Sequence, residues 1–135
     1  MHPLYKKADM LSFDVISAAM EVHKNKGPGL LESIYERCLL HELKLRNHQA
    51  QTQGIVKITY KDLVFKENLR YDILVDAYLL IEGKCVDRIL PIHKAQLMSY
   101  MKLLDIPIGL IVNYKSIVLK NDICRLILPG ANIDD

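Results

Sequence analysis

The apolar residues of this chain change their spacing near residue 54, and that change constrains the fold more than any single motif. Before it they recur every three or four positions. Over residues 8–25, Leu11, Val15, Ala18, Ala19 and Val22 form one stripe, widened by Ile16 and Met20, which predicts an amphipathic helix. Lys26-Gly27-Pro28-Gly29 ends it. A second helix is predicted from Leu31 to Arg46, with Leu31, Ile34, Tyr35, Cys38, Leu39 and Leu43 on its apolar side, and the polar stretch from Asn47 to Gly54 reads as a connection. From Ile55 the pattern becomes β-branched and partly alternating. Strands are predicted over Ile55–Tyr60 and Leu63–Phe65 around Lys61-Asp62, then over Arg70–Val75 and Tyr78–Cys85 as a hairpin around Asp76-Ala77. A third helix starts at Pro91, a residue suited to a first helical position, and runs to Leu104. Ile108–Val112 is a continuous apolar run, as in a buried central strand. Ile117–Lys120 and Ile123–Leu128 are read as a final strand pair, and Ala131–Asp135 as a frayed end. This order of elements gives an α/β (α+β) fold, one mixed sheet flanked by helices, in a single domain spanning residues 1–135.

Composition excludes disorder, because half the residues are hydrophobic. No apolar run approaches the length of a membrane span, and the first residues hold no signal-peptide core, so the expected location is cytoplasmic, with no membrane partner. Cys38, Cys85 and Cys124 are far apart and odd in number, which argues against disulfides and zinc and for small buried hydrophobes. The formal net charge of +2 argues against a broad phosphate-tracking surface.

Chemistry concentrates in three places. In RYDILVDAYLLIEGKCV, Asp72 interrupts an apolar strand, and Glu82 and Lys84, two apart, share one strand face. If the two strands pair, Asp72 lies beside Glu82. Two carboxylates at one sheet end suit a hard divalent cation, and the lysine can orient a water or neutralise charge on a phosphate; the bland alternative is a solvated Glu–Lys pair. In the third helix, His93, Gln96 and Tyr100 fall on one face and need partners: a substrate, a bound water, or one another at the rim of the core. In GPGLLESIYE, Glu32 and Tyr35 lie on neighbouring positions of one helix face, and Glu32 also suits the helix dipole. The glycine turn lacks a Walker Lys-Ser/Thr and follows a helix, which argues against a nucleotide site.

Together these residues resemble the GxxExxY family, a compact branch of the PD-(D/E)XK nuclease-like superfamily. The resemblance rests on GLLESIY (Gly29–Tyr35), then Asp72, then Glu82-Gly83-Lys84, then HKAQLMSY with His93, Gln96 and Tyr100, then a GLIVNY strand through Asn113, and covers residues 8–128. It implies a restriction-endonuclease-like core, Asp72 and Glu82 as metal ligands with the Gly83 carbonyl completing the shell, Glu32 as the helix carboxylate near the metal, and Lys84 as the catalytic lysine. Gln96 and Tyr100 would support substrate or metal shell, while His93 matches a family position without a clear role. The chain departs from the family at Gly83, where an apolar residue is usual; glycine inside a strand loosens it.

The resemblance implies a Mg²⁺- or Mn²⁺-dependent nuclease acting on DNA or RNA, with a homodimer as one way to grip a duplex. The alternative is a catalytically silent nuclease-like fold that serves as a binding or regulatory module. In the first case the carboxylates belong to the machinery, and bound cations offset them locally, so the small net charge does not exclude a nucleic-acid enzyme.

Overall fold

The computed structural model describes residues 1–134. Helix α1 (Tyr5–Lys26) buries the predicted stripe of Leu11, Val15, Ala18, Ala19 and Val22, together with Ala8. Met20 stays outside, 41% exposed. Helix α2 (Glu32–Leu45) buries Tyr35, Leu39 and Leu43, whereas Leu31 and Ile34 face solvent. The chain continues through β1 (Ala50–Tyr60), β2 (Leu63–Val75), β3 (Leu79–Lys84), α3 (Pro91–Leu104), β4 (Ile108–Asn113) and β5 (Ile123–Ile127). The strands form one sheet in the order β1-β2-β3-β4-β5, antiparallel except for the central β3–β4 pair. That parallel pair needs a crossover, which α3 supplies.

Three layers result. Helices α1 and α2 pack on one sheet face with Ile73, Val75, Leu79, Ile81, Ile108, Leu110 and Val112. Helix α3 packs on the other through Leu97 and Met101 against Tyr71, Leu74, Leu80 and Ile111. Continuous apolar sequence in β4 is thus explained, since all six of its residues are buried between two helical layers. Among the described residues no helix is long and apolar enough to cross a membrane.

Four expectations need correction. Residues 50–54 are strand rather than connection, because β1 alternates without a buried face and its polar residues carry no strand signature. Leu63–Phe65 and Arg70–Val75 are one strand; the Lys66-Glu67-Asn68 stretch between them stays paired with β1 in solvent. Ile117–Lys120 is not a strand: Ile117 is 84% exposed, and Leu119–Asp122 forms a 3₁₀ turn that tucks Leu119 into the core. At the C-terminus Ala131 is buried and its carbonyl accepts the His2 N–H, so it is not frayed; Asp135 lies outside the described residues. The three cysteines, expected as small buried hydrophobes, are free and only half-buried.

Candidate active site

The site lies where β3 ends. Its geometry begins with a register shift between Gln51 and Gln53 of β1, which pair with Leu74 and Arg70 of β2. The extra residues bulge from β2 at Tyr71–Ile73, so Tyr71 points into the α3 core while Asp72 and Ile73 both line a cleft on the α2 side. The β2–β3 ladder runs from Val75↔Leu79 to Ile73↔Ile81. One step further, Asp72 Oδ2 accepts the Gly83 N–H at 2.8 Å. Ile81 packs toward α1 and α2 and Gly83 toward Tyr114, so by alternation Glu82 and Lys84 share the other face of β3.

Glu32 arrives from α2. Gly29 carries a left-handed φ of 95° that a side chain would strain. Tyr35 holds the loop around it: its hydroxyl donates to the Gly27 carbonyl at 2.5 Å and accepts the Leu30 N–H at 3.1 Å. The Tyr35 ring stacks parallel on Tyr114 with centroids 4.4 Å apart. Fixed in this way, the first turn of α2 lets Glu32 Oε1 accept the Cys85 N–H at 2.9 Å. The spacing of Gly29, Glu32 and Tyr35 therefore has a mechanical reason: the tyrosine ties down the loop that aims the glutamate.

Burial raises the pKa of Asp72, opposed by the Gly83 N–H and by Lys84. Burial likewise raises Glu82, opposed by Lys84 and reinforced by the charges of Asp72 and Glu32. Glu82 Oε2 is buried without a hydrogen-bond partner. Such orphans are rare in folded proteins and each calls for an explanation. The carboxylates are hard oxygen donors, the set a divalent cation prefers. Among the described residues no three Asp, Glu, His or Cys side chains converge on one point. Mg²⁺ needs only one or two carboxylates with waters and substrate phosphate completing its shell, so the donors present fit such an ion. The cleft beside them, about 40 Å³, holds a few waters and not a nucleotide. A much larger cleft of about 480 Å³ lies elsewhere, between α1 and α2 around Asn25, Arg37 and His41, and contains none of these residues.

The sequence-predicted residues divide into two groups. Asp72, Gly83 and Glu32 line the cleft, whereas Glu82 and Lys84, on the other face of β3, do not line it but lie within electrostatic range of Asp72. The third-helix group does not join them by any hydrogen bond. His93 caps its own helix, its Nδ1 accepting the Leu90 N–H at 2.9 Å. Gln96 is exposed, and Tyr100 packs, half-buried, against the α3 core. Three residues at the site carry roles that the sequence did not assign. Glu36, one helical turn from Glu32, lines the cleft; burial and then the Asp72 charge raise its pKa. Tyr114 is buried with its hydroxyl unpartnered. Its ring also accounts for Gly83, where a Cβ would come within 3.2 Å of Tyr114 Cε2. Asn113 is fully buried and clamps the exit of β3, donating to the Val86 carbonyl at 2.8 Å and accepting the Val86 N–H at 3.1 Å.

Comparison with known proteins bears on this arrangement. A family profile described as the PD-(D/E)XK nuclease superfamily matches residues 9–126. The chain belongs to this superfamily. Its five-stranded mixed sheet with flanking helices agrees with a PD-(D/E)XK nuclease-like core. Asp72 and the Glu82-Gly83-Lys84 triplet follow the order that the superfamily's name spells, with Tyr71 in place of the proline. Among solved structures this PD-(D/E)XK chain is similar to one titled "Crystal structure of SSO0001", at 25% identity and a TM-score of 0.51, over 72% of this chain and 49% of that one. The match thus spans about half the length of that protein. No curated protein matches the chain significantly.

Proposed function

We propose that this chain is a divalent-cation-dependent phosphodiester hydrolase of the GxxExxY branch, cutting DNA or RNA. The observation that carries the reading is Glu82: a buried carboxylate oxygen with no partner, close to Asp72 and Lys84. Burying an unpaired carboxylate costs stability, and a cation in the same place would remove that cost. Asp72 and Glu82 would hold Mg²⁺ or Mn²⁺, with the Gly83 carbonyl beside them. When bound, the ion supplies a nucleophilic water at neutral pH and stabilises charge on the phosphate. Lys84 shares a strand face with Glu82, which suits it to orient a water or the scissile phosphate. Glu32, held by the Cys85 N–H, keeps its second oxygen for a water in the cleft. Gln96, exposed on α3, and Tyr100 one turn along are assigned to the substrate side.

A second reading is a silent module on the same fold. It is favoured by the use of one oxygen each of Asp72 and Glu32 by backbone N–H groups. The test is a cleavage assay on labelled single- and double-stranded DNA and RNA with Mg²⁺ or Mn²⁺, run beside Glu82→Ala. Cleavage by the wild type that the variant lacks supports the hydrolase. Equal cleavage by both sinks it, and no cleavage of any substrate with folded protein favours the module.

A further inference from the structure

Beyond the bulge at Tyr71, β1 and β2 leave the body of the protein as a two-stranded ribbon. Every residue from Lys61 to Asn68 is exposed. The pairing register sorts the side chains of this ribbon into two faces, since directly opposed residues of an antiparallel pair share a side. One face carries Val56 opposite Glu67, Ile58 opposite Phe65 and Tyr60 opposite Leu63, and is largely apolar. The other carries Gln53 opposite Arg70, Ile55 opposite Asn68 and Lys57 opposite Lys66. Between the turn and Arg70 this second face has no carboxylate and no aromatic ring.

The Lys57–Lys66 pair is the informative element. Like charges directly opposite on a sheet destabilise it. Neither lysine makes an ion pair within the described residues, and Glu67, the one acid on the two strands between the turn and Arg70, points to the other face. The face runs along β2 toward the candidate site: Arg70, which lies 3.7 Å from Glu36, is two residues from Asp72. From Lys66 to Asp72 the strand spans roughly 20 Å, equivalent to about six base-pair steps.

We propose that this carboxylate-free face of the β1–β2 ribbon docks the phosphate backbone of a double-stranded nucleic acid. The inference rests on the nucleic-acid reading above and adds the substrate form and the surface that grips it. A two-stranded ribbon fits a duplex groove. Surfaces that hold single strands place aromatic rings where bases stack, and this face has none. It also supplies locally the cationic surface that a net charge of +2 withholds overall.

The test measures binding, without turnover, of a labelled DNA duplex of about 30 base pairs, longer than the roughly six-step span, and of its single strand, in EDTA. The proteins are wild type, the double variant Lys57→Gln/Lys66→Gln, and a control, Lys24→Gln/Lys44→Gln, with the same charge change on α1 and α2. The ribbon variant is expected to bind duplex about tenfold more weakly at physiological salt, with the slope of log K against log salt reduced by about two. The control should match wild type. Equal binding by wild type and ribbon variant overturns the ribbon assignment while leaving the nucleic-acid reading in place. An equal loss in the control, or tighter binding of the single strand, also overturns it. Absence of any duplex binding by wild type in EDTA overturns the ribbon assignment, while the nucleic-acid reading stands or falls by the cleavage assay with Mg²⁺ or Mn²⁺.

Discussion

Strand β3 has a polar cluster at each end, and the two are built in opposite ways. At its beginning, His48 lies between two carboxylates, with Nε2 2.5 Å from Asp14 Oδ2 and Nδ1 2.9 Å from Asp76 Oδ2. Both ring nitrogens face acceptors, so the ring is satisfied only as imidazolium. Arg46 donates to Asp14 and to Glu42, and Asp76 Oδ1 accepts the Gln49 N–H. These contacts tie α1, the end of α2 and the β2–β3 turn together, with each charge matched. At the other end of β3, burial raises Asp72 and Glu82 alike, and one Glu82 oxygen has no partner. On the function proposed above, the contrast is between a closed cluster that holds the fold and an open one kept for a group that is not part of the chain.

Removing each cluster's key residue should therefore have opposite effects. Glu82→Gln should reduce cleavage about a thousandfold or more, because several kcal/mol of transition-state stabilisation goes with the cation. It should leave stability unchanged or raise it by about 1 kcal/mol, since a buried orphan charge disappears. Urea denaturation beside a cleavage assay checks both. His48→Gln should do the reverse, lowering stability by about 2 kcal/mol through loss of charge-assisted hydrogen bonds, with the rate of cleavage by folded protein unchanged.

The closed cluster should also titrate. Burial pulls the His48 pKa down, but the hydrogen bonds to Asp14 and Asp76 and their charges outweigh it, so the folded value is raised above 6.5. A raised value means its stabilisation is complete below the unfolded pKa and is lost as pH rises through the folded one. Denaturant midpoints should fall from neutral pH upward in wild type and stay level in His48→Gln. On the acid side, the hydrogen bond from His48 is the largest cause that lowers Asp14 below 3.8. Its contribution is present above that value and disappears as pH falls through the folded pKa. The smallest effects belong to the packing of the open site. Gly83→Ala should cost about 1 kcal/mol by pressing on the Tyr114 ring, while Tyr114→Phe should be neutral or slightly stabilising because the lost hydroxyl has no partner. Thermal melts of both variants check this order.

Much of the layout was legible because buried elements announce their period. The stripe of α1, the Pro91 start of α3, the apolar β4 and the turn at Asp76-Ala77 all follow from residue spacing, and the turn has positive φ at both positions. The ribbon was not legible in full. With no core beneath it, nothing forces apolar alternation on Gln51, Gln53, Lys66 or Asn68, so β1 looked shorter and β2 looked broken. At the site, Asp72, Glu32 and the Glu82-Gly83-Lys84 triplet stood out because charge is conspicuous in apolar sequence. Tyr114 and Asn113 did not, since their roles depend on a parallel partner strand far away in sequence. The bulge that turns Asp72 toward α2 leaves no signal in its own residues. His93 reads as a member of a polar stripe, but its ring is spent on the backbone of its own helix start.

The central claim is that Glu82 is left unpaired for a divalent cation. Calorimetric titration of Mn²⁺ into the wild-type protein and into Glu82→Gln tests it most directly. The account predicts millimolar or tighter binding by wild type, a melting temperature that rises with Mn²⁺, and loss of both in the variant. Equal binding by the two proteins, or none by a folded wild type, would contradict it.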